Sequence, residues 1–165
     1  MGVIASSTAS YISHEKMSRD IRLDNHLDEK VIFVGIYSCR ILHGSYSWLA
    51  TIGKNALTLG ASPTLEHHWM ILETKKHYWL AHIYPGEIEI IPYTNLNKAH
   101  RRGMSATGNS NRTKWCEKKH TYHTPKVKLR RIKNLAMRFN TTYDIVHNNC
   151  QDFCEMLWSR MDEHD

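Results

Sequence analysis

The chain has 165 residues, 41% of them hydrophobic and 23% charged, with a formal net charge of +6. That length fits one domain with a real core, and the composition is globular, not fibrous or low-complexity. Four cysteines without a signal-peptide pattern argue against a disulfide-framed secreted scaffold and for free thiols in a reducing, cytoplasmic setting.

The charge is uneven. Residues 98 to 138 carry thirteen Lys/Arg against one acid, Glu117, so the remainder is net acidic. Such a block, with Lys126, Lys128, Arg130, Arg131 and Lys133 at its centre, reads either as a surface for phosphate, anionic lipid or an acidic partner, or as a solvated face without one. No zinc-finger, RNP or helix-turn-helix signature accompanies it, so specific nucleic-acid recognition is not expected.

Residues 1–28 read as a flexible arm ahead of a single domain, 29–165. Met1-Gly2-Val3-Ile4-Ala5-Ser6 fits the N-myristoylation pattern at Gly2. One myristoyl chain binds membranes only marginally, and a basic patch is the usual second signal. Val31 to Leu42 is β-branched and aromatic and predicts a buried strand; no apolar run reaches membrane-spanning length. Ser45 or Ser47 predicts a helix to Leu59, with Gly60 as its stop.

Three strands are then expected in succession: His67 to Thr74, Tyr78 to Tyr84 and Ile88 to Tyr93. Lys75-Lys76 and Pro85-Gly86 mark the turns, which makes an antiparallel meander. Residues 94–114 read as a loop, and Trp115 to Tyr122 as one more strand. Thr124-Pro125 predicts the start of a helix whose buried face is Val127, Leu129, Ile132, Leu135, Ala136 and Phe139. An extended link, Tyr143 to His147, leads to a final helix from Asn148-Asn149 to about Arg160. The fold class is α+β: a small antiparallel sheet packed against helices, with a cysteine-bearing helix near the C-terminus.

That cysteine, Cys150, lies in the first helical turn behind an Asn cap. Backbone amides and the positive end of the helix dipole there favour thiolate over thiol. The pattern also suits a small buried residue under a helix. A nucleophilic thiolate needs a base and a group to orient that base. Among twelve histidines, position selects His68 and His82. If Lys75 centres the hairpin, these two lie opposite each other on adjacent strands. His67 is the rival of His68, since one residue of register reverses the face. Cys116, His120 and His123 have a spacing zinc could use but lack an evident fourth ligand, and Cys154 shares a helix face with Cys150. No metal or cofactor is expected.

His68-Trp69, Leu80-Ala81-His82-Ile83-Tyr84-Pro85 and Asn149-Cys150-Gln151-Asp152-Phe153 together resemble the His-box and NC-motif proteins. These are the circularly permuted, NlpC-type papain-like enzymes that include lecithin:retinol acyltransferase and related phospholipase/acyltransferases. The resemblance rests on these short segments within residues 31–160. It departs from the family at Gln151-Asp152, where the family has Glu-His, and in a slightly long spacing between the histidines. It implies a permuted papain-like fold with His68 as base, His82 as orienting group and Cys150 as nucleophile. The expected chemistry is acyl hydrolysis or transfer through a thioester, on a lipid or other acyl substrate. The Cys150 amide, with Gln151 nearby, would receive the oxyanion. The same order suits permuted isopeptidases of the PPPDE class, which would make the substrate a peptide. A non-enzymatic basic binding module is the remaining alternative.

Overall fold

The computed structural model describes residues 15–41, 66–84, 86–107, 114–122, 126–143 and 149–163. Gly2, the helix expected over 45–59, His123, Thr124-Pro125 and His147-Asn148 lie outside these residues.

The strands are β1 (Glu15–Lys16), β2 (Ser18–Ile21), β3 (Val31–Arg40), β4 (Glu66–Thr74), β5 (Tyr78–Tyr84), β6 (Glu87–Tyr93), β7 (Cys116–Tyr122) and β8 (Thr142–Tyr143). The helices are α1 (Leu96–Ser105), α2 (Leu129–Arg138) and α3 (Cys150–Arg160). Six strands form one mixed sheet in the order β2-β6-β5-β4-β3-β7, while β1 and β8 form a separate antiparallel ribbon. The fold is α+β, with the cysteine-bearing helix last. Among the described residues no helix is long and apolar enough to cross a membrane.

The central strands are apolar on both faces because helices cover both. Met70, Leu72, Ala81, Ile83 and Ile90 pack with Leu129, Ile132, Leu135, Phe153 and Leu157 of α2 and α3. Trp69, Ile71, Leu80 and Ile91 pack on the other face with Ala99 and Met104 of α1. Consecutive residues of β4 therefore enter different cores, as strand alternation requires.

The meander forms as expected, with each turn locally encoded. Thr74 Oγ1 accepts from the amides of Lys76 and His77 at 3.3 and 3.1 Å and closes the first turn. Gly86 closes the second with φ +74°, a region open to glycine at little cost.

Three expectations are corrected. Residues 15–28 are not a flexible arm. β2 pairs parallel with β6, and Leu23 is fully buried, because the apolar side of this segment completes the core. The Arg19 guanidinium donates to the Met137 and Phe139 carbonyls at the end of α2. Residues 94–114 are not all loop, because α1 occupies Leu96–Ser105. Asn95 caps it by accepting from the Lys98 amide at 3.1 Å. Its buried face is Ala99, His100, Gly103 and Met104, a helical spacing hidden by flanking Arg, Lys and Asn. Gly103 is needed there, since a Cβ would lie 2.6 Å from Cγ of Trp69. Finally, α2 begins at Leu129, after an extended Lys128, and the Val127 carbonyl before it accepts from the Val31 amide. The first amides of α2 donate to carbonyls of residues 27–29, so tertiary contacts cap this helix instead of a local motif.

Candidate active site

Cys150 is the first residue of α3. Asn149 caps the helix: its side-chain oxygen accepts from the amides of Gln151 at 2.8 Å and Asp152 at 3.1 Å. The Asp152 carboxylate accepts in turn from the Asn149 amide at 3.1 Å, completing a capping box. Phe153, Cys154 and Leu157 anchor the helix in the core, so Cys154 is a packing residue. Cys150 itself is buried, at 6% exposure.

The sulfur occupies a break in the sheet. The β4–β5 ladder ends at Trp69↔His82, and beyond it Ile83 and Tyr84 pair only with β6. Even-numbered residues of β4 aim their backbone groups toward β5, as the Thr74 amide bonded to the His77 carbonyl shows. Past the end of the ladder, the His68 amide and the Glu66 carbonyl would lack partners. Cys150 Sγ lies 3.5 Å from that amide and 3.9 Å from that carbonyl. The thiol thus sits beside the backbone of His67, where β5 would otherwise continue.

The register corrects the expected pairing of histidines. His82 stands opposite Trp69, so His67, two residues away on the same face, is its neighbour, and His68 points to the other face. The turn has two residues, Lys75 and Lys76, and its centre falls between them, not on Lys75. That half-residue shift exchanges His68 for His67.

On the α1 side of the sheet the polar groups form a buried chain. His67 Nε2 lies 3.2 Å from His82 Nδ1, and His82 Nε2 lies 2.9 Å from a Glu89 oxygen. Arg102 donates to both Glu89 oxygens, and its guanidinium lies over the Tyr84 ring at 3.8 Å. Burial pushes the Glu89 carboxyl up, but His82 and Arg102 outweigh it and hold it at about 2. Burial holds both imidazoles below the ordinary histidine value, so they rest neutral.

This chain determines tautomers. An ionised carboxylate only accepts, so His82 Nε2 carries the hydrogen and, in a neutral ring, Nδ1 is bare. A bare His82 Nδ1 accepts, so His67 Nε2 carries the hydrogen. His67 Nδ1 is then bare: it is the basic nitrogen, and the one nearer the backbone against which the sulfur rests.

His68 faces the α3 side. Its Nε2 lies 3.4 Å from Glu66, whose carboxylate is engaged by Lys118 at 2.8 Å, and its Nδ1 is buried without a hydrogen-bond partner. Among the described residues no hydrogen bond joins the sulfur to the ring of either His68 or His67.

Burial pushes the Cys150 thiol up to about 11, against the amides of His68, Cys150 and Gln151, which favour the thiolate. The expectation of a resting thiolate at a helix start is therefore corrected. Desolvation outweighs the helix terminus, and Cys150 rests as a thiol. The Cys150 amide, at the first helical position, has no intrahelical acceptor. The Gln151 amide is used by the Asn149 cap, and its side chain is exposed.

The basic block is dispersed. Arg102 and its helix lie on one face of the sheet and α2 on the other. Around α2, Lys128 and Arg130 pair with Asp28, Lys133 with Asp24, and Arg131 with Glu163. Lys126 is exposed. The acids of residues 24–28, distant in sequence, neutralise much of what reads as a cationic face. Cys116 and His120 are exposed on β7, where His120 bonds Glu117 instead of sharing a ligand set with Cys116.

Sequence reasoning named His67 only as the rival of His68, and it missed Glu89. Glu89 was legible as an acid at the centre of an apolar strand, Ile88-Glu89-Ile90. No family model, curated protein or solved structure matches the chain.

Proposed function

We propose that the protein is a cysteine-dependent acyl hydrolase or acyltransferase, with Cys150 as nucleophile, His67 as base and His82 as orienting group. One observation carries this reading: a buried chain runs from Arg102 through Glu89 and His82 to His67, and the Cys150 sulfur lies 3.5 Å from the amide of the next residue, His68. Glu66 makes a poorer orienting group for His68, being more exposed, farther away and already paired with Lys118. The resemblance to His-box and NC-motif enzymes supports the same chemistry, with His67 in the place expected for His68.

Because thiol and imidazole both rest neutral, ionisation accompanies attack. His67 Nδ1 takes the thiol proton as sulfur bonds to the substrate carbonyl carbon. The oxyanion accepts from the Cys150 amide, and buried Glu89 stabilises the imidazolium through His82. The imidazolium then protonates the leaving group, and a thioester remains. Water, or an acceptor alcohol or amine, gives its proton to His67 and releases the acyl group. Ester, thioester and peptide carbonyls all suit this sequence, so turnover of acyl lipids against peptide substrates separates acyltransferase from isopeptidase. Myristoylation at Gly2 would give only marginal, reversible membrane binding, because the ion pairs around α2 weaken the basic second signal.

The test is acylation by a short-chain thioester, read by intact mass and peptide mapping. A single adduct on Cys150 is expected, absent in Cys150→Ser. His67→Ala should slow acylation by about 10²–10⁴-fold, the usual worth of a positioned base. His68→Ala should slow it less than tenfold. A reversed ranking would overturn the assignment of the base, and no adduct on Cys150 would overturn the enzyme reading in favour of a binding module.

A further inference from the structure

At the far end of β4, about 20 Å along the strand from His68 to Thr74, a second polar cluster joins the hairpin to residues 24–29. His26 ends a one-turn 3₁₀ helix, Asp24–His26, Glu29 follows it, and His77 comes directly after the Lys75-Lys76 turn between β4 and β5. One ligand atom from each of His26, Glu29 and His77 lies within 4.8 Å of the others. His26 Nδ1 is 2.6 Å from Glu29 Oε1, and His77 Nδ1 is 3.2 Å from the same oxygen. The second carboxylate oxygen accepts from the Thr74 hydroxyl at 2.6 Å and lies 3.3 Å from His77 Nδ1. Trp79 meets both imidazoles edge-on, with ring centroids 5.1 and 5.6 Å away, and so limits their rotation. The cluster borders an open groove of about 720 Å³, lined in part by His26, Glu29 and Thr74.

We propose that His26 Nδ1, His77 Nδ1 and Glu29 Oε1 bind a divalent transition-metal ion of the zinc type, with its remaining position open to the groove. Two neutral imidazoles and one carboxylate are a donor set suited to such ions. Tetrahedral ligands at about 2.0–2.1 Å from zinc lie about 3.3 Å apart. The His77–Glu29 separation of 3.2 Å already matches. The His26–Glu29 separation of 2.6 Å must open by about 0.7 Å, within the reach of one side-chain rotation. On binding, each imidazole gives up the Nδ1 hydrogen that it donates to Glu29 and carries its hydrogen on Nε2, so that the Nδ1 lone pair faces the ion. Thr74 continues to donate to Oε2 and holds the carboxylate in place, as outer groups do around metal ligands.

The ion would be a clamp, not a reactant in acyl transfer. It would tie residues 26–29, whose carbonyls cap α2, to the turn that sets the register of the β4–β5 hairpin. Occupancy should therefore raise thermal stability, and the inference stands independently of the thiol chemistry.

Cobalt(II) titration of the full chain, read by visible absorption, tests it, because cobalt reports its ligands. The expected result is one equivalent bound with ligand-field bands and no thiolate charge-transfer band. Glu29→Gln and His77→Gln should each weaken binding at least tenfold. Far-UV circular dichroism checks that these variants fold. X-ray absorption of the zinc-loaded, unsubstituted protein should show imidazole and oxygen ligands, and this measurement does not depend on any variant folding. Sulfur ligation, unchanged affinity in folded variants, or no binding at 100 µM metal would each overturn the proposal.

Discussion

Removing the Asn149 side chain tests the cap and the thiol site together. Asn149→Ala deletes the oxygen that accepts from the Gln151 and Asp152 amides at 2.8 and 3.1 Å. The reverse bond, from the Asn149 amide to Asp152, uses backbone on the Asn149 side and survives. Half of the capping box is therefore lost, and about 1 kcal/mol of stability with it, within the range of about 0.5–2 kcal/mol for caps. For a domain of this size that lowers the melting temperature by about 2–4 °C. Asn149→Asp keeps an accepting oxygen, so its urea midpoint should stay near that of the unsubstituted protein. It also places a negative charge beside the Cys150 sulfur, which opposes thiolate formation and should slow thioester acylation several-fold. Stability and reactivity thus separate in the two variants. The assay is urea unfolding by fluorescence alongside acylation of Cys150 by mass spectrometry. If Asn149→Asp loses as much stability as Asn149→Ala, the oxygen is not the cap and the reasoning fails.

Phe153→Ala should cost about 3–5 kcal/mol in urea unfolding, because the ring is fully buried against Phe139 with centroids 5.1 Å apart; a loss below 1 kcal/mol would deny that packing. Gly103→Ala gains about 1 kcal/mol of helix propensity, yet its Cβ would meet Cγ of fully buried Trp69 at 2.6 Å, so a net loss is expected and a raised melting temperature would refute the contact. Burial holds His67, His82 and His100 below the ordinary histidine value, His100 at about 4, so below about pH 6.5 the unfolded chain binds protons the native state refuses. Stability should be greatest above pH 6.5 and fall as the pH drops from 7.5 to 5, while Glu29 and Glu89, both held near 2, contribute no loss until the pH falls below about 4.5. A urea midpoint unchanged over that interval would show that these histidines are not buried and neutral.

Local pattern made much of this molecule legible in one dimension. The β-branched and aromatic runs of β3 to β6 and the turn residues between them announce strands and a meander. The Asn149 cap and the spacing of Phe153, Cys154 and Leu157 announce α3, and place Cys150 at its start. These features are encoded by neighbours within a few residues, and such interactions survive without knowledge of the rest of the chain. The acidic residue at the centre of β6 was visible as an anomaly of the same local kind, although its role needed its partners.

Tertiary structure decided what depended on half a turn or on distant segments. Register is set by the geometry of the Lys75-Lys76 turn, and one residue of slip sends an imidazole to the opposite core. His67, not His68, therefore joins His82 and Glu89. The helical face of α1 has meaning only because Trp69 needs the space left by Gly103. The charge of α2 is balanced by Asp24 and Asp28, roughly a hundred residues earlier in the chain. The ionisation of Cys150 follows the same logic. A helix start favours thiolate, but desolvation at the break in the sheet is the larger effect, and only the packed structure reveals that burial.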